Sequence, residues 1–274
     1  MPSQVLVLLL WTAFLLPSQA LSFFEDNRHN EPIDSEESKE AGLVSILNTS
    51  FSFSNLRGSP AAEDKYYAQF DFAYGIEIKA SNIVDPKALI EAKRIITMML
   101  KDVRPDIKNR LVAKKAALAI IPRDKFVTSL PEFSYLSGKT DVNGNPYDSF
   151  KIRGLGAKGR PVTATSEENL LKLPNDTFKA EDITVHEFAH AVMNLGFTFA
   201  DFEKINDLYK NAVKKGYFRG TFAMVRIDEF WAELTQSFFS VNNEIGGPEQ
   251  ILAQDYDSYN YLKQIYNTEL ELKK

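Results

Sequence analysis

The chain has 274 residues, of which 44% are hydrophobic, so it can form one large domain or two small ones around a sizeable core. Its formal net charge of −5 gives no indication of the basic surface that nucleic-acid-binding proteins carry. The chain has no cysteine, which excludes a disulfide framework, a thiolate metal site and a cysteine nucleophile.

The first twenty residues have the features of a secretory signal peptide. They carry no charged side chain, and residues 5–16 form an apolar run that is too short to span a bilayer. Small residues at Ser18 and Ala20 resemble a signal-peptidase site, so we predict cleavage after Ala20. The mature chain is therefore expected to be secreted and extracellular, with no membrane span.

Residues 21–64 form a segment of different composition, which is polar and acidic over residues 25–42. We interpret it as a mobile arm or a propeptide, and assign residues 65–274 to the folded domain. Two sequons, which begin at Asn48 and Asn175, predict a glycoprotein if the host is a eukaryote.

The first part of the folded domain shows one helix and two strands. Asp85-Pro86 is typical of a helix start, with a capping side chain followed by proline at the first helical position. Residues 117–121 are an apolar run that predicts a buried strand, and residues 143–146 predict a turn. Residues 162–165 predict a second strand, which we expect at the sheet edge, where an extended peptide substrate can pair with it.

Three glycines before this strand, Gly154, Gly156 and Gly159, form a GxGxxG pattern. A dinucleotide site requires a helix to begin at this point, whereas Arg160-Pro161 and a strand follow. The pattern is therefore interpreted as a flexible turn before a strand.

The last third of the chain predicts helices. One should cover residues 179–195, with Glu181 and Asp182 in its first turn and Gly196 at its end. Thr198 and Asp201 resemble a capping box for a second helix that ends at Gly216. Two more helices are expected over residues 228–240 and 259–270. Strands that precede helices in this way indicate an α+β fold.

The strongest functional motif is His-Glu-Phe-Ala-His at residues 186–190. On a helix, His186 and His190 lie on one face, where two imidazoles can bind the same zinc ion. Glu187 then lies beside the metal, where it can act as general base towards water whose pKa the zinc has lowered.

A catalytic zinc site needs a third protein ligand, which here must be a carboxylate. The remaining histidine, His29, belongs to the polar arm, and there is no cysteine. The best candidates are Glu229 and Glu233, spaced i and i+4, so that one can bind zinc while the other orients a ligand. Glu229 is the preferred ligand, in agreement with the two-histidine, one-glutamate pattern of such peptidases. Their helix is too apolar to be peripheral, since it also carries Phe230, Trp231, Leu234, Phe238 and Phe239.

These motifs resemble a known family. Residues 181–190, which end in HEFAH, and residues 229–239, EFWAELTQSFF, are similar to the C-terminal zinc peptidase domain of anthrax lethal factor and its secreted relatives. Residues 154–171 resemble the segment that precedes the motif in those relatives, and the likeness covers roughly residues 70–270. The resemblance implies a zincin-like fold, with the HEXXH active-site helix packed under a small sheet. It also implies that Glu229 binds zinc.

The sequence departs from that family at one catalytic position. The family has a tyrosine seven residues before its ligand glutamate, and Phe222 occupies this position here. Because phenylalanine cannot donate a hydrogen bond to a developing oxyanion, another donor is required. Tyr217 is the first candidate, followed by Arg219 or Arg226.

The sequence therefore predicts a secreted zinc metalloendopeptidase that acts on a peptide or protein substrate. The alternative is a catalytically weak or inactive relative that binds zinc and captures a peptide or a partner, which the replacement of tyrosine by Phe222 motivates. A secreted structural domain without metal is a further alternative. The sequence predicts no nucleic-acid partner and leaves the oligomeric state open.

Overall fold

A mixed four-stranded sheet lies at the centre of the computed structural model, which describes residues 65–157, 160–239, 242 and 244–266. The strands are β1 (Gln69–Ala73), β2 (Ile76–Ala80), β3 (Ala117–Ile121) and β4 (Val162–Ser166), in the order β1-β2-β3-β4. The β1–β2 hairpin is antiparallel, whereas β3 runs parallel to both β2 and β4. The predicted signal peptide, the acidic arm, His29 and Asn48 lie outside the described residues.

Helices α1 (Pro86–Leu100) and α2 (Pro105–Ala113) connect β2 to β3. Helix α1 begins as predicted, because the side chain of Asp85 accepts a hydrogen bond from the backbone N–H of Lys87 at 2.9 Å. The apolar face of α1 packs on the sheet and forms the main hydrophobic core with Ile78, Leu118 and Ile120. The sequence did not predict helix α2 or the β1–β2 hairpin.

A long connection joins β3 to β4 and covers the opposite face of the sheet. It contains two short 3₁₀ helices, Val127–Ser129 and Pro131–Leu136. Together with the outward residues of β3 and β4, this connection encloses a second, smaller core around Val127, Leu130 and Phe133. The sheet is therefore buried on both faces at β3, which agrees with the continuous apolar run Ala117–Ile121.

The end of this connection returns along β4. The backbone N–H of Leu155 donates to the carbonyl of Ala164 at 3.1 Å, and the N–H of Ala164 donates back at 2.8 Å. Residues 153–157, named the glycine segment below, therefore lie antiparallel to β4. The prediction that β4 is the last strand of the sheet is correct, but the outward backbone groups of Ala164 are already occupied. Gly154 and Gly156 therefore flank a residue paired with β4 and do not form the predicted turn, while Gly159 lies outside the described residues.

The elements described after β4 are helices. After the short α3 (Glu167–Leu170) come α4 (Ile183–Ala191), a π-helical turn (Val192–Gly196), α5 (Phe199–Lys215), a 3₁₀ turn (Phe222–Met224), α6 (Ile227–Phe238), α7 (Pro248–Gln254) and α8 (Tyr256–Tyr266). The fold is α+β, as predicted. Within the described ranges, no helix combines the length and hydrophobicity needed to cross a membrane.

The predicted helix boundaries were partly wrong. Helix α4 begins at Ile183 rather than Lys179, because Asp182 is its capping residue, and the side-chain oxygen of Asn169 also accepts the N–H of Ile183 at 3.0 Å. Helix α8 begins at Tyr256, where Asp255 accepts hydrogen bonds from Ser258. By contrast, the capping box of Thr198 and Asp201 and the left-handed Gly216 that ends α5 agree with the prediction.

Candidate metal-binding site

Helix α4 carries the two histidines and is fixed at its first turn. The side chain of Asp182 caps it by accepting the N–H of Val185 at 3.1 Å. Two residues after Asp182, the hydroxyl of Thr184 lies 2.8 Å from that of Thr165 on β4, which ties the helix to the sheet. Because His186 and His190 are one helical turn apart, their rings project from the same face of α4.

Helix α6 packs against α4 and carries the two candidate glutamates. The indole N–H of Trp231 donates to the carbonyl of Ala189 at 2.9 Å, which fixes the two helices relative to each other. Trp231 is buried, so this bond is shielded from water. The opposite edge of α6 then directs Glu229 and Glu233 towards the histidines of α4.

The predicted ligand atoms of His186, His190 and Glu229 converge, and all lie within 4.8 Å of one another. Nε2 of His186 lies 3.2 Å from Oε2 of Glu229 and 3.2 Å from Nε2 of His190, and the latter lies 3.5 Å from the same carboxylate oxygen. A tetrahedral ion bound at about 2.0–2.2 Å requires its ligand atoms to lie about 3.3–3.6 Å apart. The three side chains therefore fit a metal ion in chemistry and in spacing.

Glu229 divides its two oxygens between different partners. While Oε2 faces the two imidazoles, Oε1 accepts a hydrogen bond from Nη2 of Arg226 at 2.9 Å. Arg226 precedes α6 and also binds Asp228 through two hydrogen bonds of 2.9 and 2.8 Å. The arrangement holds the carboxylate of Glu229 in one orientation, with one oxygen directed at the histidines.

Glu233 contacts the other ring nitrogen of His186. Its Oε1 lies 3.1 Å from Nδ1 of His186, and its Oε2 accepts a hydrogen bond from the side-chain amide of Asn242. Asn242 also donates to Gln236 at 2.9 Å, and Gln236 donates to the backbone carbonyl of Asp182 at 2.9 Å. This buried polar chain runs from the N-terminus of α4 to His186. Glu233 thus faces the ring nitrogen of His186 opposite the one near Glu229, a position compatible with the orienting role that the sequence left open.

The charges of the cluster are strongly coupled. Burial acts to lower the pKa of His186, but its contacts with Glu229 and Glu233 outweigh burial and raise that pKa well above the ordinary value. Burial acts to raise the pKa of Glu229, but the two histidines outweigh it and hold the pKa well below its usual range. The carboxylate of Glu229 is therefore ionised at neutral pH, as a metal ligand must be.

The side chain of Glu187 projects from α4 against the glycine segment. A Cβ atom placed on Gly154 would lie 2.6 Å from the side chain of Glu187, and one placed on Gly156 would lie 2.4 Å from Cβ of His190. Burial raises the pKa of Glu187, while the two histidines and a hydrogen bond from the backbone N–H of Gly156 act to lower it. The sequence did not predict that Gly154 and Gly156 contact this site, although both belong to the GxGxxG pattern.

The three predicted oxyanion donors, Tyr217, Arg219 and Arg226, have different surroundings. Tyr217 is half-buried, and its ring contacts Phe218 and the ammonium group of Lys215. The guanidinium of Arg219 lies against Gly216. Of the three candidates, Arg226 is the one with a hydrogen bond to a predicted ligand, Glu229. Phe222 is 43% exposed in the 3₁₀ turn before α6.

Comparison with known proteins finds similarity among solved structures. No protein-family model and no curated protein sequence matches the chain. Among solved structures, the fold is similar to the PRO-PRO endopeptidase from Paenibacillus alvei, with a TM-score of 0.51 and 14% sequence identity. The alignment covers 69% of this chain and 97% of that protein. At this level of identity the likeness concerns the fold alone, and that fold is one used by a peptidase.

Proposed function

We propose that this protein is a zinc-dependent metalloendopeptidase of the zincin type. The observation that carries the proposal is the spacing of 3.2, 3.2 and 3.5 Å among the ligand atoms of His186, His190 and Glu229. The endopeptidase neighbour supports a peptide substrate. The family resemblance of HEFAH and EFWAE to the lethal factor peptidase domain remains a prediction that agrees with this site.

In this proposal the residues have separate tasks. His186, His190 and Glu229 hold the ion, which supplies Lewis-acid chemistry by acidifying water and polarising a carbonyl group. Glu187 accepts the proton from the attacking water, and its raised pKa keeps it a stronger base than an exposed glutamate. Arg226, whose side chain is 42% exposed beside Glu229, is the nearest candidate for an additional cationic group at the substrate carbonyl.

The fold also supports a proposal for the position of the substrate. Ala164 of β4 already bonds with Leu155, so an added peptide strand cannot pair with Ala164 as the sequence suggested. Within the described residues, the backbone groups of Gly154 and Gly156 make no backbone hydrogen bond, and the glycine segment lies directly against Glu187. We therefore place an extended peptide along the outer edge of the glycine segment.

The test combines metal analysis with peptide turnover. Protein purified without chelator should contain about one zinc ion per chain, as a three-ligand site requires. It should also cleave members of a mixed-sequence peptide library, read by mass spectrometry. Glu187→Gln should keep the zinc and lose about 10²–10⁴-fold in turnover, since an amide cannot act as the base.

Two other outcomes would identify the alternatives. Stoichiometric zinc without turnover in the wild-type protein would favour a zinc-binding relative that captures peptides. Zinc retained in a double variant, His186→Ala with His190→Ala, would contradict the metal site itself.

We also propose that the protein is secreted, on the strength of the apolar run of residues 5–16 and the Ser18-Gln19-Ala20 sequence. N-terminal sequencing of the protein from culture medium should begin at Leu21, and recovery of only the full-length chain from membranes would contradict this. In a eukaryotic host, Asn175 is available for glycosylation, since it lies exposed in the turn between α3 and α4.

A further inference from the structure

The glycines at positions 154 and 156 are required by close packing and not by backbone conformation. Neither has a positive φ, unlike Gly144 or Gly216, so a turn does not explain them. Instead, a Cβ on Gly154 would meet Cγ and Oε1 of Glu187 at 2.6 Å, and one on Gly156 would meet His190. These separations are far inside van der Waals contact, so any side chain would have to displace the active-site helix or the segment.

The glycine segment is anchored at its beginning by a buried ion pair. Arg153 and Glu168 are 2% and 4% exposed, and Nη2 of Arg153 donates to Oε2 of Glu168 at 2.7 Å. The same guanidinium donates to the backbone carbonyls of Lys125 at 2.6 Å and Pro122 at 3.2 Å. Arginine is suited to this role because its planar group binds a carboxylate and several carbonyls at once.

The middle of the segment is anchored by the two backbone hydrogen bonds between Leu155 and Ala164. One side of the segment is thus fixed to β4, and its start is fixed to α3 through Glu168. One face of the segment touches Glu187 and His190. A rigidly held backbone therefore forms a wall against the glutamate.

We propose that Arg153, Gly154 and Gly156 are positioning residues that hold the side chain of Glu187 in its working orientation. The inference rests on the proposed function, because it assumes that Glu187 is the general base. A base must lie within hydrogen-bond reach of the proton that it removes, and a displacement of about 1 Å can reduce turnover about 10²-fold. Alanine at position 154 would push the carboxylate, while loss of Arg153 would release the segment that restrains it.

The experiment compares variants of the full mature chain with two matched controls. Gly154→Ala introduces a methyl group against Glu187, whereas Gly196→Ala introduces one at 2.7 Å from Ile107, on the π-helical turn. Arg153→Met breaks the buried pair with Glu168, whereas Lys79→Met breaks the buried pair of Lys79 and Glu132, which belongs to the other face of the sheet. The controls destabilise the fold by the same means without touching Glu187.

We expect Gly154→Ala and Arg153→Met to lower kcat at least about tenfold, with KM within about threefold and zinc content unchanged. Arg153→Lys, which keeps the charge, should restore part of kcat. Gly196→Ala and Lys79→Met should lower Tm by a similar amount while kcat, measured well below the unfolding temperature, stays near the wild-type value. Unchanged kcat in Gly154→Ala, or equal losses of kcat in the controls, would overturn the proposal.

A second measurement separates this proposal from the proposed function. If the wild-type protein cleaves no peptide in the library, the proposed function fails. The affinity for zinc, measured by competition with a chelator, then still tests whether the segment positions the cluster. Gly156→Ala should bind zinc at least about tenfold more weakly than Gly196→Ala, because the added methyl displaces His190. Equal affinities of the two variants would overturn a positioning role.

Discussion

Replacement of Glu233 by glutamine is the most informative single change in the metal cluster. Glu233 is 2% exposed. Its Oε1 lies 3.1 Å from Nδ1 of His186, and its Oε2 accepts a hydrogen bond from the amide of Asn242. The side-chain amide of Asn242 cannot flip to present its oxygen to a new partner. That oxygen already accepts the N–H groups of Glu244 at 2.8 Å and Ile245 at 3.0 Å. A glutamine side chain offers one acceptor oxygen and one donor NH₂ group. Its NH₂ group would therefore face either Nδ1 of His186 or the NH₂ group of Asn242, and neither arrangement gives a hydrogen bond when Nδ1 carries a proton.

The size of the effect follows from this mismatch. A buried polar group left without its partner costs about 1–3 kcal/mol. If the lost contact is the one to His186, the ring is no longer oriented, and loss of such a partner typically weakens metal binding about 10–100-fold. That factor corresponds to about 1.4–2.7 kcal/mol, which agrees with the hydrogen-bond figure. We therefore expect Glu233→Gln to raise the Kd for zinc about 10–100-fold.

The assay is competition for zinc with a chromophoric chelator at pH 7.5, with Tm measured in parallel. Glu181→Gln is the matched control, since the partly buried carboxyl of Glu181 acts on Glu233 and His186 only through charge. We expect less than about a threefold change in Kd for this control, because a through-space charge effect is small beside a lost contact. A Kd for Glu233→Gln within twofold of wild type, or an equal loss in Glu181→Gln, would refute the argument from hydrogen-bond geometry.

Two further predictions concern stability and the oxyanion. Burial acts to raise the pKa of Asp201, but hydrogen bonds from Arg104 and Thr198 outweigh it, so the folded-state pKa lies below the unfolded value. Asp201→Asn should therefore lower the free energy of unfolding by about 2–3 kcal/mol at pH 7, a figure reduced because Arg104 is partly exposed. In urea titrations this difference should shrink below about pH 4, as the wild-type carboxylate is protonated, and a difference independent of pH would contradict the assignment. If Tyr217 replaces the missing tyrosine, Tyr217→Phe should lower turnover about 10²-fold without loss of zinc. If no donor replaces it, Phe222→Tyr should raise turnover; no change in either variant of an active enzyme would place the donor elsewhere.

Local sequence signals predicted the elements whose ends are capped by neighbouring residues. Asp85-Pro86 started α1, and Thr198 with Asp201 started α5, because both caps act within one helical turn. The start of α4 was missed although its cap is also local, because Asp182 accepts the N–H of Val185 within the first turn. Asn169 on α3 adds a contact with the N–H of Ile183 that forms only after the chain has folded.

The β1–β2 hairpin and α2 were missed for a related reason. In β1 the inward residues alternate with Phe70 and Phe72, which are 53% and 56% exposed, so hydrophobicity along the strand does not reveal which face is buried. Helix α2 buries only Ile107 and Leu111, which is too few apolar positions for a clear helical period.

The grouping of His186, His190 and Glu229, which could hold a metal ion, was predicted by the sequence to a large extent. The spacing of His186 and His190 places both on one helix face whatever surrounds them, and the lack of cysteine and of other histidines in the folded domain leaves a carboxylate as third ligand. The i, i+4 spacing of Glu229 and Glu233 is equally local, so the sequence could name both but could not assign their roles by geometry.

The tertiary structure decided how these residues are held. It directs Oε2 of Glu229 towards both imidazoles and sets Glu233 against the opposite nitrogen of His186. It also brings Gly154 and Gly156 onto Glu187 and His190, which lie some thirty residues further along the chain. Such contacts depend on the packing of α4 against β4 and α6. No local periodicity or motif contains that information, because the distance between these elements in space is fixed only by the whole core.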